Sequence, residues 1–428
     1  MGLGITMNIP TMGIFKEKTR KKIRAYFEEL PSVVPGQDVR VYEDDEGFQV
    51  RLVPFEENVY VRFEENAAVI SARTNSAGPG YHAYFVGVLD NLARETGAKL
   101  SADSVDDETE YYASRDFLGL QGSMTAWASS LANVVIENYG GRDYKNLAIS
   151  MPLEQTPVSE DGFVCYPLGY LDELTFRKMQ RKEDLGTIMP RFFLWWDEGL
   201  TADFYRKAAL SMMWQEVNWL PPIAAEDGRV DDSVYRSVLA CLEKAWALDG
   251  TLAYPEAEWI EMAGLVGDEA LCEALNRRFP EAAGKEPEIG FLRGWVNSML
   301  PAGWRIEHPG KMYFDGTEAS VWWNDDLTLR VSVISFQPQE GGIADPNETL
   351  SLVSADEPFE PFPLKDKNVP AKILTKQIEE EGELLWQTVL HAVSGNTILI
   401  ATLYYAERET ESLALKICGS LSAQTAEQ

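Results

Sequence analysis

The chain has 428 residues, 45% apolar and 25% charged, with 22 prolines and 32 glycines, a composition that belongs to folded globular protein and excludes disordered and fibrous classes. At roughly 150 residues per domain, the length allows about two or three domains. Lys plus Arg number 38 against 68 Asp plus Glu, a net charge of −30, which repels phosphate backbones, so nucleic acid is not an expected partner.

The longest apolar runs, Thr397–Tyr405 and Phe192–Trp196, are strand length, and none approaches the ~18 residues of a membrane span. Met1, Met7 and Met12 precede Gly13-Ile14-Phe15, so residues 1–15 are expected to form a flexible, frayed N-terminus. Lys16–Arg24 is basic, with Ile23, Tyr26 and Phe27 at helical spacing. This reads as a short amphipathic helix with a solvated basic face, and its two glutamates within Arg24–Leu30 exclude the apolar core of a secretory signal. A cytoplasmic protein is the expectation.

From Asp38 to Thr74 apolar and polar residues alternate between turn-forming or acidic separators (Asp44–Gly47, Glu56–Asn58, Glu64–Asn66), the pattern of a four-stranded antiparallel meander. Gly78-Pro79-Gly80 opens a helix carrying Phe85, Val88, Leu89 and Leu92, stopped by Gly97. A second helix is expected over Asp116–Glu137, with Leu118, Leu120, Met124, Trp127, Leu131 and Val135 as its stripe. Short strands follow at Leu147–Met151 and Phe163–Leu168, then helices at Leu200–Val217, Ser233–Leu248 and Leu265–Phe279.

Phe279–Pro287 brackets small and charged residues between prolines and marks a break. The expected organisation is a flexible 1–15, an α+β domain over 16–280 that is divisible near 180–200, a linker at 281–287 and a second domain over 288–428. In the second domain a helix over Phe291–Met299 precedes strands at Trp304–His308, Ser320–Trp323 and Leu327–Phe336. A long acidic connection then leads to strands at Leu384–Val393 and Thr397–Tyr405 and a helix with Leu413, Ile417 and Leu421. The fold class is α+β throughout, an antiparallel meander with helices in front and an antiparallel sheet with packed helices behind. Four scattered cysteines without CxxC spacing (Cys165, Cys241, Cys272, Cys418) read as buried thiols in a reducing compartment.

Leu300-Pro-Ala-Gly-Trp304, the strand Leu327–Phe336, and Val393–Tyr404 running into Leu413–Leu421 resemble the DcrB/PsbP-like superfamily over the last third of the chain. The resemblance implies an antiparallel sheet with packed helices and a mostly non-enzymatic role; members include photosystem and lipoprotein subunits and chaperones of secreted Rhs-type toxins. The front part, with Ser76–His82, Trp195–Gly199 and Trp214–Trp219, looks like bacterial proteins of unassigned function.

Three constellations are candidates for chemistry. Gly78-Pro79-Gly80-Tyr81-His82-Ala83 fits G-x-G-x-x-A with Asp103 some twenty residues on. It closes an antiparallel meander and Pro79 lacks an N–H, so a close-approach helix entry competes with an anion site at Gly78 and Gly80. His82 has Ser76 and Asp90 nearby in sequence, but eight helical residues span about 12 Å, too far for Asp90 to orient it. Trp195-Trp196-Asp197-Glu198 is either a cation-accepting surface or a helix cap with its rings in the core. Neither a metal nor a cofactor is expected.

The reading these features favour is a protein-interaction module, an immunity protein or chaperone for a basic toxin or effector, with Tyr81, His82, Phe85, Trp195, Trp196, Asp197 and Glu198 as partner-binding candidates. The alternative is a small-molecule or nucleotide-dependent enzyme with its site at the Gly78–His82 turn.

Overall fold

The computed structural model describes residues 2–11, 16–98, 100, 104–141, 147–151, 154–158, 164–224, 230–282, 284–317, 319–338, 341–380 and 382–423. The chain divides into two compact units, both mixtures of helices and antiparallel sheet, so the class is α+β. No helix among the described residues is long and apolar enough to cross a membrane.

The first unit is built on a six-stranded sheet. Its strands are β1 (Gly4–Pro10), β2 (Arg40–Asp44), β3 (Gly47–Arg51), β4 (Val59–Phe63), β5 (Ala67–Arg73) and β6 (Val105–Asp107), in the order β2-β3-β4-β5-β1-β6. The meander forms because each strand buries alternate apolar residues: Phe48 and Val50, Val59 and Val61, Ala68 and Ile70. The N-terminus departs from expectation. Residues 4–10 are an internal strand whose Ile5, Met7 and Ile9 are buried between β5 and β6. Period-two alternation in this segment was the signal, and the methionines obscured it. Met12–Phe15, also assigned to that tail, lie outside the described residues.

On the buried face lie α1 (Lys16–Glu28), held by Ile23 and Phe27, and α2 (Pro79–Thr96), which ends at Gly97 in the left-handed conformation. After the single turn α3 (Tyr111–Ser114) comes α4 (Phe117–Tyr139), capped by Asp116. Its buried stripe is Leu120, Met124, Ala128, Ala132, Val135 and Ile136, while Leu118 stands 78% exposed. Beyond β7 (Leu147–Ala148), β8 (Gln155–Pro157), β9 (Val164–Tyr166) and β10 (Gly169–Leu171), the helices are α5 (Glu173–Arg181), α6 (Leu185–Phe192), α7 (Ala202–Gln215), α8 (Ser233–Leu248), α9 (Glu256–Leu265) and α10 (Glu269–Arg278). The apolar run Phe192–Trp196 is therefore a helix end and the irregular segment after it. Carboxylates and a hydroxyl cap several of these helices: Asp172 accepts from the Thr175 N–H at 2.6 Å, Thr201 from Phe204 at 3.3 Å and Asp268 from Leu271 at 3.0 Å.

The boundary between the units falls at Gly290 and Phe291. Buried Glu258 accepts the N–H groups of Glu288 and Ile289 at 2.8 and 3.0 Å, which ties that segment to the first unit. The second unit is not one continuous stretch. It includes β8 and Asn218–Leu220 from the front of the sequence. Trp219, left-handed and buried, lies under the Arg293 guanidinium at 3.5 Å.

Within that unit, β11 (Trp295–Met299) replaces the expected helix. Its Val296 and Ser298 are buried alternately as it pairs with β8 on one side and β12 (Trp304–Pro309) on the other. The larger sheet contains β13 (Tyr313–Asp315), β14 (Ser320–Trp323), β15 (Thr328–Ser335), β16 (Glu360–Pro361), β17 (Ala371–Glu380), β18 (Glu383–Ser394) and β19 (Thr397–Tyr405), in the order β13-β14-β15-β19-β18-β17-β16. The acidic connection thus contains two strands, β16 and β17, and a helix, α11 (Pro346–Val353). One face of this sheet meets α12 (Glu411–Gly419) through Leu390, Leu399, Ala401, Leu403, Ala414, Ile417 and Cys418.

Deleting residues 1–11 removes three buried apolar side chains and exposes a long edge of β5. Denaturant unfolding is expected to show a loss of about 5 kcal/mol or more at about 1.5–3 kcal/mol per side chain, whereas a frayed tail would leave the midpoint unchanged.

Candidate functional site

The Gly78–His82 turn is wholly buried. Its backbone runs against that of Phe193–Trp195: the Gly80 N–H donates to the Trp195 carbonyl and the Trp195 N–H to the Ala77 carbonyl, both at 2.8 Å. A Cβ on Gly78, whose φ is +112°, would stand 2.8 Å from Phe193 Cβ, and one on Gly80 would overlap Trp195 Cδ1 and the Asp197 carbonyl. The glycines serve close approach. The Gly78 N–H is also engaged, at 3.3 Å from the Thr74 carbonyl, so Gly78 and Gly80 offer no free donor to an anion.

The aromatic candidates are core residues. Tyr81, Phe85 and Trp195 are at most 1% exposed. Trp195 packs on Phe204 at 4.1 Å and stacks with Tyr84 at 5.5 Å, and its indole N–H donates to the Gly199 carbonyl at 2.8 Å. An interface anchor must reach solvent before it is buried by a partner, which these side chains do not. Trp196 is half-buried on Phe193, and Asp197 and Glu198 are exposed. Lys207, nearly buried, reaches the Phe193 carbonyl at 3.2 Å, the Pro190 carbonyl and Asp203, holding the segment from below.

His82 is fully buried in a polar network. Its Nε2 lies 3.3 Å from Asp107 Oδ2 and 3.2 Å from Thr109 Oγ1, and Nδ1 lies 2.7 Å from Thr74 Oγ1. In the neutral ring the carboxylate acceptor calls for the proton on Nε2, and Nδ1 then accepts from the Thr74 hydroxyl. Asp90 is paired with Arg115 instead, and Asp103 lies outside the described residues. Burial by itself would raise the Asp107 pKa, but the hydrogen bond and charge interaction with His82, joined by the Tyr112 and Thr109 hydrogen bonds, outweigh it and hold the carboxyl down to about 2. The opposite balance governs Glu56. It is buried beside the same turn and accepts the Ala77 N–H at 2.5 Å, yet desolvation pushes it up to about 8. This network joins β6 and the start of α2; its groups do not face solvent.

An exposed concave surface of this unit lies on the other side of the sheet. Register aligns Tyr60, Ser71, Thr6 and Asp106 in one row across β4, β5, β1 and β6. Gly4 and Arg73 form the next row, where Glu108 Oε2 accepts the Gly4 N–H at 2.7 Å. Together with Glu57 these residues line a groove of about 560 Å³. It presents three hydroxyls, three carboxylates and one guanidinium, and Gly2 and Gly4 supply the depression by lacking side chains. Strand alternation places Asp107 inward and Asp106 outward, and in the loop before β4 Glu56 is buried while Glu57 is exposed. The sequence reading missed this surface because its residues come from four strands and one loop. Among the described residues, no group of three or more His, Cys, Asp or Glu side chains could hold a metal ion.

No family model matches the sequence, and none of the curated proteins is similar to it. Several solved structures are similar in part, among them these two. One is a protein from Bacteroides thetaiotaomicron VPI-5482, 12% identical, over 32% of this chain and 50% of that chain, with a TM-score of 0.27. The other is cyanobacterial PsbP (CyanoP) from Synechocystis sp. PCC 6803, 12% identical, over 31% of this chain and 94% of that one, with a TM-score of 0.18. The match thus spans half the length of the Bacteroides protein. Scores this low carry no argument beyond the α+β class already evident in the chain's own elements.

Two outcomes follow from this geometry. Gly80→Ala is expected to cost about 2 kcal/mol or more, since neither the indole nor the backbone facing it can yield cheaply; thermal denaturation reads this directly. The two carboxyls predict opposite pH dependences. Asp107, lowered from 3.8, contributes stability that is present above pH 3.8 and lost as pH falls toward 2; Glu56, raised from 4.5, favours the folded state most below pH 4.5 and loses that contribution as pH rises toward 8. Glu56→Gln should therefore flatten the decline on the alkaline side, checked by urea midpoints across that range.

Proposed function

We propose that this chain is a protein-interaction module that binds a basic partner, and that the outer-face groove of the first unit receives a lysine or arginine side chain of that partner. The observation that carries the reading is the groove itself: Glu57, Asp106 and Glu108 stand exposed around the hydroxyls of Tyr60, Ser71 and Thr6. A carboxylate-rimmed depression with hydroxyl acceptors matches the donors of an ammonium or guanidinium group. The net charge of −30 adds long-range attraction, which raises the association rate and makes it sensitive to salt.

Four free thiols, three of them buried, fit action in a reducing compartment such as the cytoplasm. The tail's sequence resemblance to a superfamily that includes chaperones of secreted toxins makes a basic toxin or effector the expected cargo, in the manner of an immunity protein or escort. The enzymatic alternative at Gly78–His82 has little to support it, since every residue of that turn is buried.

The test is co-purification from the native host at low and high salt, using the wild-type chain and the triple variant Glu57→Gln, Asp106→Asn, Glu108→Gln. A basic protein retained by the wild type at low salt, released at high salt and weakened at least about tenfold by the triple variant is the expected result. Equal recovery with the variant, or a partner indifferent to ionic strength, would overturn the assignment.

A further inference from the structure

The last sheet of the second unit ends in an edge that is only partly covered. β16 pairs with β17 at Lys372 and Ile373 alone, and from Leu374 to Glu380 no strand among the described residues lies on the side opposite β18. Beyond Trp386 the hairpin also outruns β19, so Ile378–Glu380 and Glu383–Leu385 form a two-stranded ribbon with Leu384 63% exposed. A ribbon of two strands is marginal by itself, and an open edge is a template for another strand. The preceding segment does not fill the gap, since Phe359 stacks on His391 of β18, 4.4 Å away, and not along the edge.

The side chains on one face of this edge are Lys372, Leu374, Lys376, Ile378 and Glu380, positive toward the start of the strand and negative at its end. We propose that the occupant is a second copy of this chain, joined antiparallel through β17 with Ile378 on the two-fold axis. Antiparallel pairing across a two-fold axis sets one residue opposite its own copy. Centring on Lys376 would oppose two ammonium groups, and centring on Glu379 would oppose two carboxylates. Centring on Gln377 sets Lys376 against Ile378. Centring on Ile378 instead places Lys376 opposite Glu380 of the other copy, twice by symmetry. It also extends the cross-strand pair Leu385 and Ile378 into an unbroken apolar row of four side chains across both copies. Lys376 already touches Glu357 of its own chain at 2.7 and 2.8 Å and would lie between two carboxylates.

So narrow an interface predicts a weak, salt-sensitive dimer. Sedimentation of the full chain across the micromolar range is expected to show a monomer–dimer equilibrium. Glu380→Lys, which leaves the Glu357 pair intact, should weaken it at least about tenfold by opposing like charges at two places, with circular dichroism unchanged. Ile378→Cys should form a disulfide-linked dimer on mild oxidation. A monomer throughout the range, a dimer indifferent to Glu380→Lys, or no crosslink at Ile378→Cys would each overturn the proposal.

Discussion

The first unit depends on one close approach. The backbone of Ala77–Gly80 lies against that of Phe193–Trp195 so tightly that neither Gly78 nor Gly80 has room for a Cβ. From this contact the start of α2 is set relative to the end of α6, and Trp195 is driven between Tyr84 and Phe204. Lys207 satisfies the carbonyls that the end of α6 leaves over, at the cost of burying a charge, which Asp203 compensates. On the opposite flank His82 ties the same helix start to β6 through Asp107. A sheet, three helices and a buried polar network are thus registered by two glycines.

Acidity is distributed in two ways with different consequences. Some carboxylates work locally, capping α4, α5 and α10 or holding backbone N–H groups as Glu258 does. These are stabilised as anions by the N–H groups they accept from. Others, such as Glu57 and Asp106, face solvent around the groove, where Glu108 joins them while also accepting the Gly4 N–H. The strand period divides Asp106 from Asp107 in this way, and the turn before β4 does the same for Glu57 and Glu56.

The second unit illustrates how a sheet recruits distant chain. β11 needs a partner on the side away from β12, and residues 155–157 provide it from nearly 140 positions upstream. Trp219 comes from yet another point in the sequence to lie beneath Arg293. Neither piece announces itself by periodicity, because each is only a few residues long and its neighbours belong to the other unit.

What the sequence determined by itself was governed by local patterning. The meander over residues 40–73, the glycine stop at Gly97, the strands around Leu329, Leu390 and Leu399, and the α+β class follow from alternation, helical spacing and turn chemistry, which act within about ten residues. Tertiary structure alone decided the rest. Whether Gly78-Pro79-Gly80 cradles a ligand or admits a neighbouring backbone depends on Phe193–Trp195, more than a hundred residues away. Whether Trp195 is a surface anchor or a core ring depends on what covers it. The segment over Phe291–Met299 carries apolar residues that suit a helix, yet β8 and β12 stand ready to hydrogen-bond its backbone, so it is a strand after a short turn. The groove exists only as a product of register, since hydroxyls and carboxylates spread over a hundred positions meet only when β6 closes beside β1. Burial and cross-strand alignment are non-local, and no reading of neighbouring residues contains them.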